Sequence, residues 1–350
     1  MPRMLSVLAV LWSCIFFSDA HICASSHQCV PRENCRREEP IFDLSSTINC
    51  SDLEVCCKKS NVIDKKRSTP SLPPGSLCGM TNPNGLDENR QVDGNQARPG
   101  QFPWAMALFS KGQYFGGGSL ITPGLVLTAA HILVHKSSAH IKVRAGEWDL
   151  SSSSELPYPP EERQVTKIII HEGFQFMTGA NNLALLFLDS PFQIKPHIQT
   201  ICLPTSGETF AGRRCLVAGW GQRSFGDDKL LPIQQQVELP IVDGSRCQDQ
   251  LRRTRMGWNY TLPDSLICAG GEWGRDVCSQ SGGSALFCAL ENDPNRYEQS
   301  GIVNWGIKCG QENVPGTYTH VSKFKEWIDP HWQQVLSVPG DLVASMRGSL

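Results

Sequence analysis

The sequence predicts an all-β fold preceded by a small disulfide-rich module. From about Gln91 onward the chain runs in short alternating apolar stretches split by Gly, Pro and Asn. Period-two alternation between turn residues is the pattern of antiparallel strands in a barrel or sandwich. Ahead of those stretches, Cys23, Cys29, Cys35, Cys50, Cys56 and Cys57 crowd into residues 21–57. A module that small cannot bury enough apolar surface to hold itself together, so cross-links must supply the stability.

In chain order, residues 1–20 carry Arg3, an apolar run from Leu5 to Phe17 and the ending Ser18-Asp19-Ala20. This is the pattern of a secretory signal peptide cut near Ala20. The run is short of the ~20 residues a membrane span needs. The expected localisation is secreted and extracellular. Of the fifteen cysteines, Cys14 leaves with this leader, and fourteen remain. An even number in an oxidising compartment reads as a disulfide framework, and the spacings lack the pattern of metal knuckles. A formal net charge of -2 with 40% hydrophobic residues points to neither nucleic acid nor an anionic membrane as partner.

Within residues 21–57 the spacing alone does not choose among the pairings that six cysteines allow. Residues 58–90, with "KKSNVIDKKRSTPSLPPGS", mix basic residues with Pro, Ser and Gly and read as an exposed linker. Lys65-Lys66-Arg67 in it is a solvated charge run or a processing site. From Gln91, "FPWAMALF", "GSLITPGLVLTAA", "IKVRAGEWDL", "QVTKIIIH" and "NNLALLFL" read as strands. Near the C-terminus, Phe324, Trp327, Ile328 and Trp332 recur at helical spacing, with Pro330 placed to bend or interrupt the helix. The domain is expected to span residues 91–334, with 335–350 a loose tail.

Several segments carry a more specific message. "GQFPWAMAL", "GGSLITPGLVLTAAH", "NNLALLFL", "TICLP", "CLVAGWG", "LICAGG", "CSQSGGSALFC" and "GIVNWG" follow one another in the order of landmarks in the chymotrypsin-type serine proteases. By that resemblance residues 91–334 form a chymotrypsin-like double β-barrel with a C-terminal helix and the active site between the barrels. The cysteines of residues 21–57, ending in adjacent Cys56-Cys57, resemble the clip domain of arthropod serine proteases. The resemblance implies clip pairs Cys23–Cys56, Cys29–Cys50 and Cys35–Cys57. It also implies Cys78–Cys202, Cys215–Cys288, Cys247–Cys268 and Cys278–Cys309. One family disulfide is missing, and its two positions are Gly116 and Ile132.

Peptide hydrolysis on this fold needs a Ser hydroxyl, an imidazole to take its proton, a carboxylate to orient the imidazole and backbone donors for the oxyanion. The resemblance places His131 as the base. Asn182 stands where the family has the orienting Asp, and an amide cannot stabilise an imidazolium as a carboxylate does. Aligned without a gap between Cys278 and Cys288, Gly282 takes the nucleophile's place, Ser281 that of the preceding Asp and Gln280 that of the oxyanion Gly. A one-residue deletion would instead make Ser281 the nucleophile. The activation cut of active members corresponds to Arg90, followed here by Gln91-Val92-Asp93-Gly94, and the carboxylate that receives the new N-terminus is absent. Asp276 occupies the base of the primary specificity pocket, either as a relic that selects basic side chains or in a collapsed pocket.

The resemblance therefore implies a secreted, catalytically inactive serine protease homologue with a clip domain. Members of that kind act as cofactors or regulators of the cascades behind melanisation, prophenoloxidase activation and innate immunity, with clip-domain proteases or prophenoloxidase as partners. The alternatives are a weakly active trypsin-like endopeptidase using Ser281 and a secreted scaffold with no cascade role. Asn49-Cys50-Ser51 and Asn259-Tyr260-Thr261 are N-glycosylation acceptors. No metal or cofactor is expected, with one alternative. Glu147, Glu161 and Glu162 bracket a stretch resembling the calcium loop of some relatives, and are otherwise solvated surface acids.

Overall fold

Each alternating run of the sequence becomes a strand in the computed structural model, and the strands fall into two units, Met1–Ser76 and Leu77–Leu350. The structure describes residues 22–23, 27–31, 48–49, 54–58, 78–87, 89–152, 158–222, 230–275, 281–307 and 310–336. In the first unit, β1 (Ile22–Cys23) pairs antiparallel with β3 (Ile48–Asn49), and β2 (His27–Pro31) with β4 (Glu54–Lys58). Val30 and Cys57 are buried, and Cys57 is disulfide-bonded. The pairs Cys23–Cys56, Cys29–Cys50 and Cys35–Cys57 lie outside the described residues, as do residues 1–20.

The second unit is a double barrel. Strands β5 (Ala105–Ser110), β6 (Gln113–Thr122), β7 (Leu125–Thr128), β8 (Ile141–Ala145), β9 (Glu161–Ile170) and β10 (Ala184–Leu188) close in the order β10-β7-β6-β5-β8-β9. Strands β11 (Arg214–Gly219), β12 (Gln235–Val242), β13 (Leu266–Gly270), β14 (Ala285–Leu290), β15 (Asp293–Trp305) and β16 (Pro315–His320) close in the order β11-β12-β13-β16-β15-β14. Closure leaves neither barrel an unpaired edge. Met106, Leu120, Val126, Val143 and Leu186 fill the first barrel, and Val217, Leu239, Leu286 and Tyr318 the second. An aromatic seam joins them: the Trp104 ring lies 5.2 Å from Phe287 and 5.9 Å from Tyr297.

Disulfides Cys78–Cys202, Cys215–Cys288 and Cys247–Cys268 are present, three of the four pairs implied for the domain. Cys278–Cys309 lies outside the described residues. At the position of the absent family disulfide, a Cβ on Gly116 would meet Ile132 Cδ1 at 2.7 Å, so the isoleucine fills that space.

Three expectations change. Residues 78–87, assigned to the linker, are attached to the domain. The Gly79 amide donates to the Thr200 carbonyl at 2.7 Å, and Asn82 Nδ2 donates to the Gly100 and Pro196 carbonyls at 2.7 and 2.9 Å. Gly79 has φ 74°, and a Cβ there would lie 2.1 Å from the Tyr297 oxygen, so only glycine permits this approach. A helix the patterning did not signal, α1 (Gly244–Arg252), is capped by Asp243, whose carboxylate accepts from the Ser245 and Arg246 amides. Helix α2 (Lys325–Leu336) runs through Pro330 and past the expected boundary at 334. Proline removes one backbone donor there. Burial of Ile328, with Phe324 just before the helix and Trp327 and Trp332 packed on the same cluster, holds the segment in place. Among the described residues no helix is long and apolar enough to cross a membrane.

Candidate functional site

His131 follows β7 and opens a short 3-10 turn, His131–Leu133. Asn182 sits just before β10, buried, and its carbonyl accepts from Thr319 Oγ1 at 2.8 Å. Gly282 lies in the turn leading into β14. The first barrel thus supplies the imidazole and the amide, and the second supplies the glycine.

The structure brings these three together. The His131 backbone amide donates to Asn182 Oδ1 at 2.8 Å, and Asn182 Nδ2 lies 2.8 Å from His131 Nδ1. On the far side of the ring, a Cβ at Gly282 would stand 2.9 Å from Nε2 and 3.2 Å from Cε1. Gly282 thus lies against the imidazole. The Ser281 hydroxyl is buried and instead donates to the Trp220 carbonyl at 3.2 Å.

The chemistry follows from which atoms face the ring. A backbone amide only donates, so the Asn182 atom that meets it is the oxygen, and the amino group is turned toward Nδ1. An Nδ1 that accepts a hydrogen bond leaves the ring proton on Nε2. A general base would need Nε2 free to receive a hydroxyl proton. Burial also holds the His131 pKa below the ordinary histidine value.

Sequence reasoning passed over Asn304, which ends the buried part of β15. Its Oδ1 accepts from Asn182 Nδ2, and its own Nδ2 donates to the Gly179 carbonyl at 2.8 Å. In sequence it is one polar residue in "GIVNWG", and only proximity to Asn182 reveals its contact.

The remaining site residues divide. Asp276 and Gln280 lie outside the described residues. Arg90 is exposed, with its guanidinium 4.8 Å over the Trp148 ring. A cleft of about 470 Å³ is lined by Asp93, Gly94, Gln96, Gly219 and Ser281. Glu147, expected as a solvated acid, is buried and paired with Arg144 at 2.8 Å. Glu162 pairs with Lys142 and Arg144 at 2.9 and 2.8 Å, and Glu161 with Lys195 and with Arg163 at 3.2 Å. Burial disfavours ionisation of Glu161 and Glu162, and these cationic partners outweigh it, holding both below the ordinary glutamate range. The charge of all three acids is thus already balanced by the chain itself. Asn259 is exposed, and the Asn49 side chain lies outside the description.

A sequence model of the trypsin family matches residues 91–328. The chain belongs to the trypsin family. Among its relatives, it is 42% identical over 268 residues to phenoloxidase-activating factor 2 of Galleria mellonella, an alignment covering 72% of this chain and 88% of that protein. It is 34% identical over 299 residues to inactive CLIP domain-containing serine protease A8 of Anopheles gambiae, covering 82% and 80%. With phenoloxidase-activating factor 3 of Holotrichia diomphalia the identity is 32% over 331 residues, covering 86% and 89%. This trypsin-family chain thus has among its homologues clip-domain members named as inactive and others named as phenoloxidase-activating factors.

Proposed function

We propose that this trypsin-family protein is a secreted serine protease homologue that does not cut peptides. It acts by binding, as a cofactor or regulator in an extracellular cascade that activates phenoloxidase. The observation that carries the non-catalytic part is Gly282 facing His131 Nε2 with no side chain to supply a nucleophile. Asn182 presenting its amino group to the ring supports the same reading. The cascade role rests on the relatives named as phenoloxidase-activating factors, and its partners are clip-domain proteases or prophenoloxidase itself. An endopeptidase using Ser281 is disfavoured because that hydroxyl is committed to the Trp220 carbonyl.

The test is to treat the purified protein with a fluorophosphonate probe before and after cleavage at Arg90. No labelling is expected, and stoichiometric labelling at Ser281 would overturn the proposal. Gly282→Ser should also stay at background on basic-residue peptides, because triad groups act as a unit and Asn182 is unrepaired. Mixed with prophenoloxidase and a clip-domain protease, the wild-type protein should raise phenoloxidase activity. An unchanged yield would remove the cascade role.

A further inference from the structure

The disulfides Cys78–Cys202, Cys215–Cys288 and Cys247–Cys268 sit in different surroundings. In the last two, all four cysteines are sealed, each 1% exposed or less. In the first, Cys202 is buried but Cys78 is partly exposed. A cation also lies against that bridge. Arg296 on β15 donates through Nε to the Cys78 carbonyl at 3.1 Å, and its Nη2 stands 3.7 Å from Cys78 Sγ and 3.6 Å from Cys202 Sγ. Among the described residues no carboxylate pairs with this guanidinium. Glu298, which faces Cys202 across an isolated bridge, has its carboxyl bonded to Arg213 at 3.2 Å instead.

A neutral disulfide sulfur is a weak acceptor and gains little from a charged neighbour. A thiolate at the same distance gains far more, since it carries a full opposite charge. The guanidinium therefore favours the open pair over the bridge, and it stabilises whichever sulfur departs as a thiolate during exchange. Backbone bonds hold both cysteines whether or not the bridge is closed. The Gly79 amide donates to the Thr200 carbonyl at 2.7 Å, the Tyr297 amide to the Gly79 carbonyl at 2.9 Å and the Gln299 amide to the Cys202 carbonyl at 2.9 Å. Opened sulfurs thus stay beside Arg296 and beside each other, placed to close again.

We propose that Cys78–Cys202 is a reversible thiol-exchange site that takes a dithiol as its reductant, with Arg296 stabilising the departing thiolate. One thiolate of the dithiol attacks Cys78 Sγ, on the partly exposed side. A new S–S bond forms there as the Cys78–Cys202 bond breaks, and Cys202 leaves as a thiolate against Arg296. The second thiolate of the dithiol then attacks its own partner sulfur in the mixed disulfide and releases Cys78. Two electrons pass to the bridge, and the dithiol becomes a disulfide.

The test is partial reduction of the full chain with dithiothreitol under native conditions. Free thiols are capped at intervals with iodoacetamide, the remaining cysteines are fully reduced and capped with its isotopically heavy form, and each site is read by mass spectrometry. Cys78 and Cys202 should open together and ahead of the other two bridges, whose protection reports that the fold is intact. Arg296→Met keeps the stem and removes the charge, and should slow opening by about tenfold. Arg296→Lys keeps the charge and should open faster than Arg296→Met. A merely structural arginine would give the opposite sign, because losing its bond to the Cys78 carbonyl loosens the bridge and speeds attack. Earlier opening of Cys215–Cys288 or Cys247–Cys268 would overturn the proposal. So would an Arg296→Met rate at or above that of wild type, or an Arg296→Lys rate as low as that of Arg296→Met.

Discussion

The two barrels share one circular strand order, and β11–β16 connect as β5–β10 do, yet they are held by different means. No cysteine occurs between Cys78 and Cys202, so the first barrel is held by strand pairing and packing without an internal disulfide. Its interior is aliphatic, and Ile132 fills the space beside Gly116. The second barrel is stapled by Cys215–Cys288 between β11 and β14 and by Cys247–Cys268 between α1 and β13. Both barrels face the site: the first supplies the Asn182 amide beside His131, and the second supplies Gly282. The two cores and the disulfides are built from other residues, so the scaffold does not depend on what stands at those two positions.

The largest expected effect lies at the seam. Trp104→Ala removes a fully buried ring packed on Phe102, Phe287 and Tyr297 and should cost about 3–5 kcal/mol. In denaturant titration both barrels should unfold earlier together, and loss in one barrel only would break the view that the seam couples them. Next, Cys215→Ala with Cys288→Ala should cost about 2–4 kcal/mol. Amide exchange should quicken first in β11 and β14, and equal acceleration in β5–β10 would contradict the separate supports.

The smallest effect is a pH dependence confined to the second barrel. Glu298 on β15 is pushed up to about 7 by burial and by neighbouring Glu208, while Arg213, 3.2 Å away, partly offsets this. The fold prefers the protonated acid, so this contribution is complete below the ordinary glutamate range and is lost as pH rises through about 7. Glu298→Gln should match wild type near pH 4 and exceed its stability near pH 8 by on the order of 1 kcal/mol. Equal stability of the two proteins across that range would remove the assignment.

How far the sequence could be read follows from the range of each interaction. Strands were legible because alternation is local, and β5 to β10 each overlap a quoted apolar run. Helix α1 was not, since its buried positions, Cys247 and Leu251, are too few to set a periodicity. Residues 78–87 carry a linker's composition, and their attachment comes from long-range bonds, to Thr200, Gly100 and Pro196 among others, that composition does not register. At the site, His131, Asn182 and Gly282 were legible through motif position. Asn304 was not, because its partner Asn182 is 122 residues away in the chain.

The Cys78–Cys202 bridge changes what a break in the backbone would mean. A cut after Arg90 leaves residues before the cut bonded through Cys78 to the trypsin-like unit, so nothing diffuses away. Scission would create two new chain ends while the N-terminal segment stays covalently attached, at an effective concentration far above that of a free fragment. Proteolysis would then act on this molecule as a change of connectivity, one that dilution does not undo while that bridge is intact.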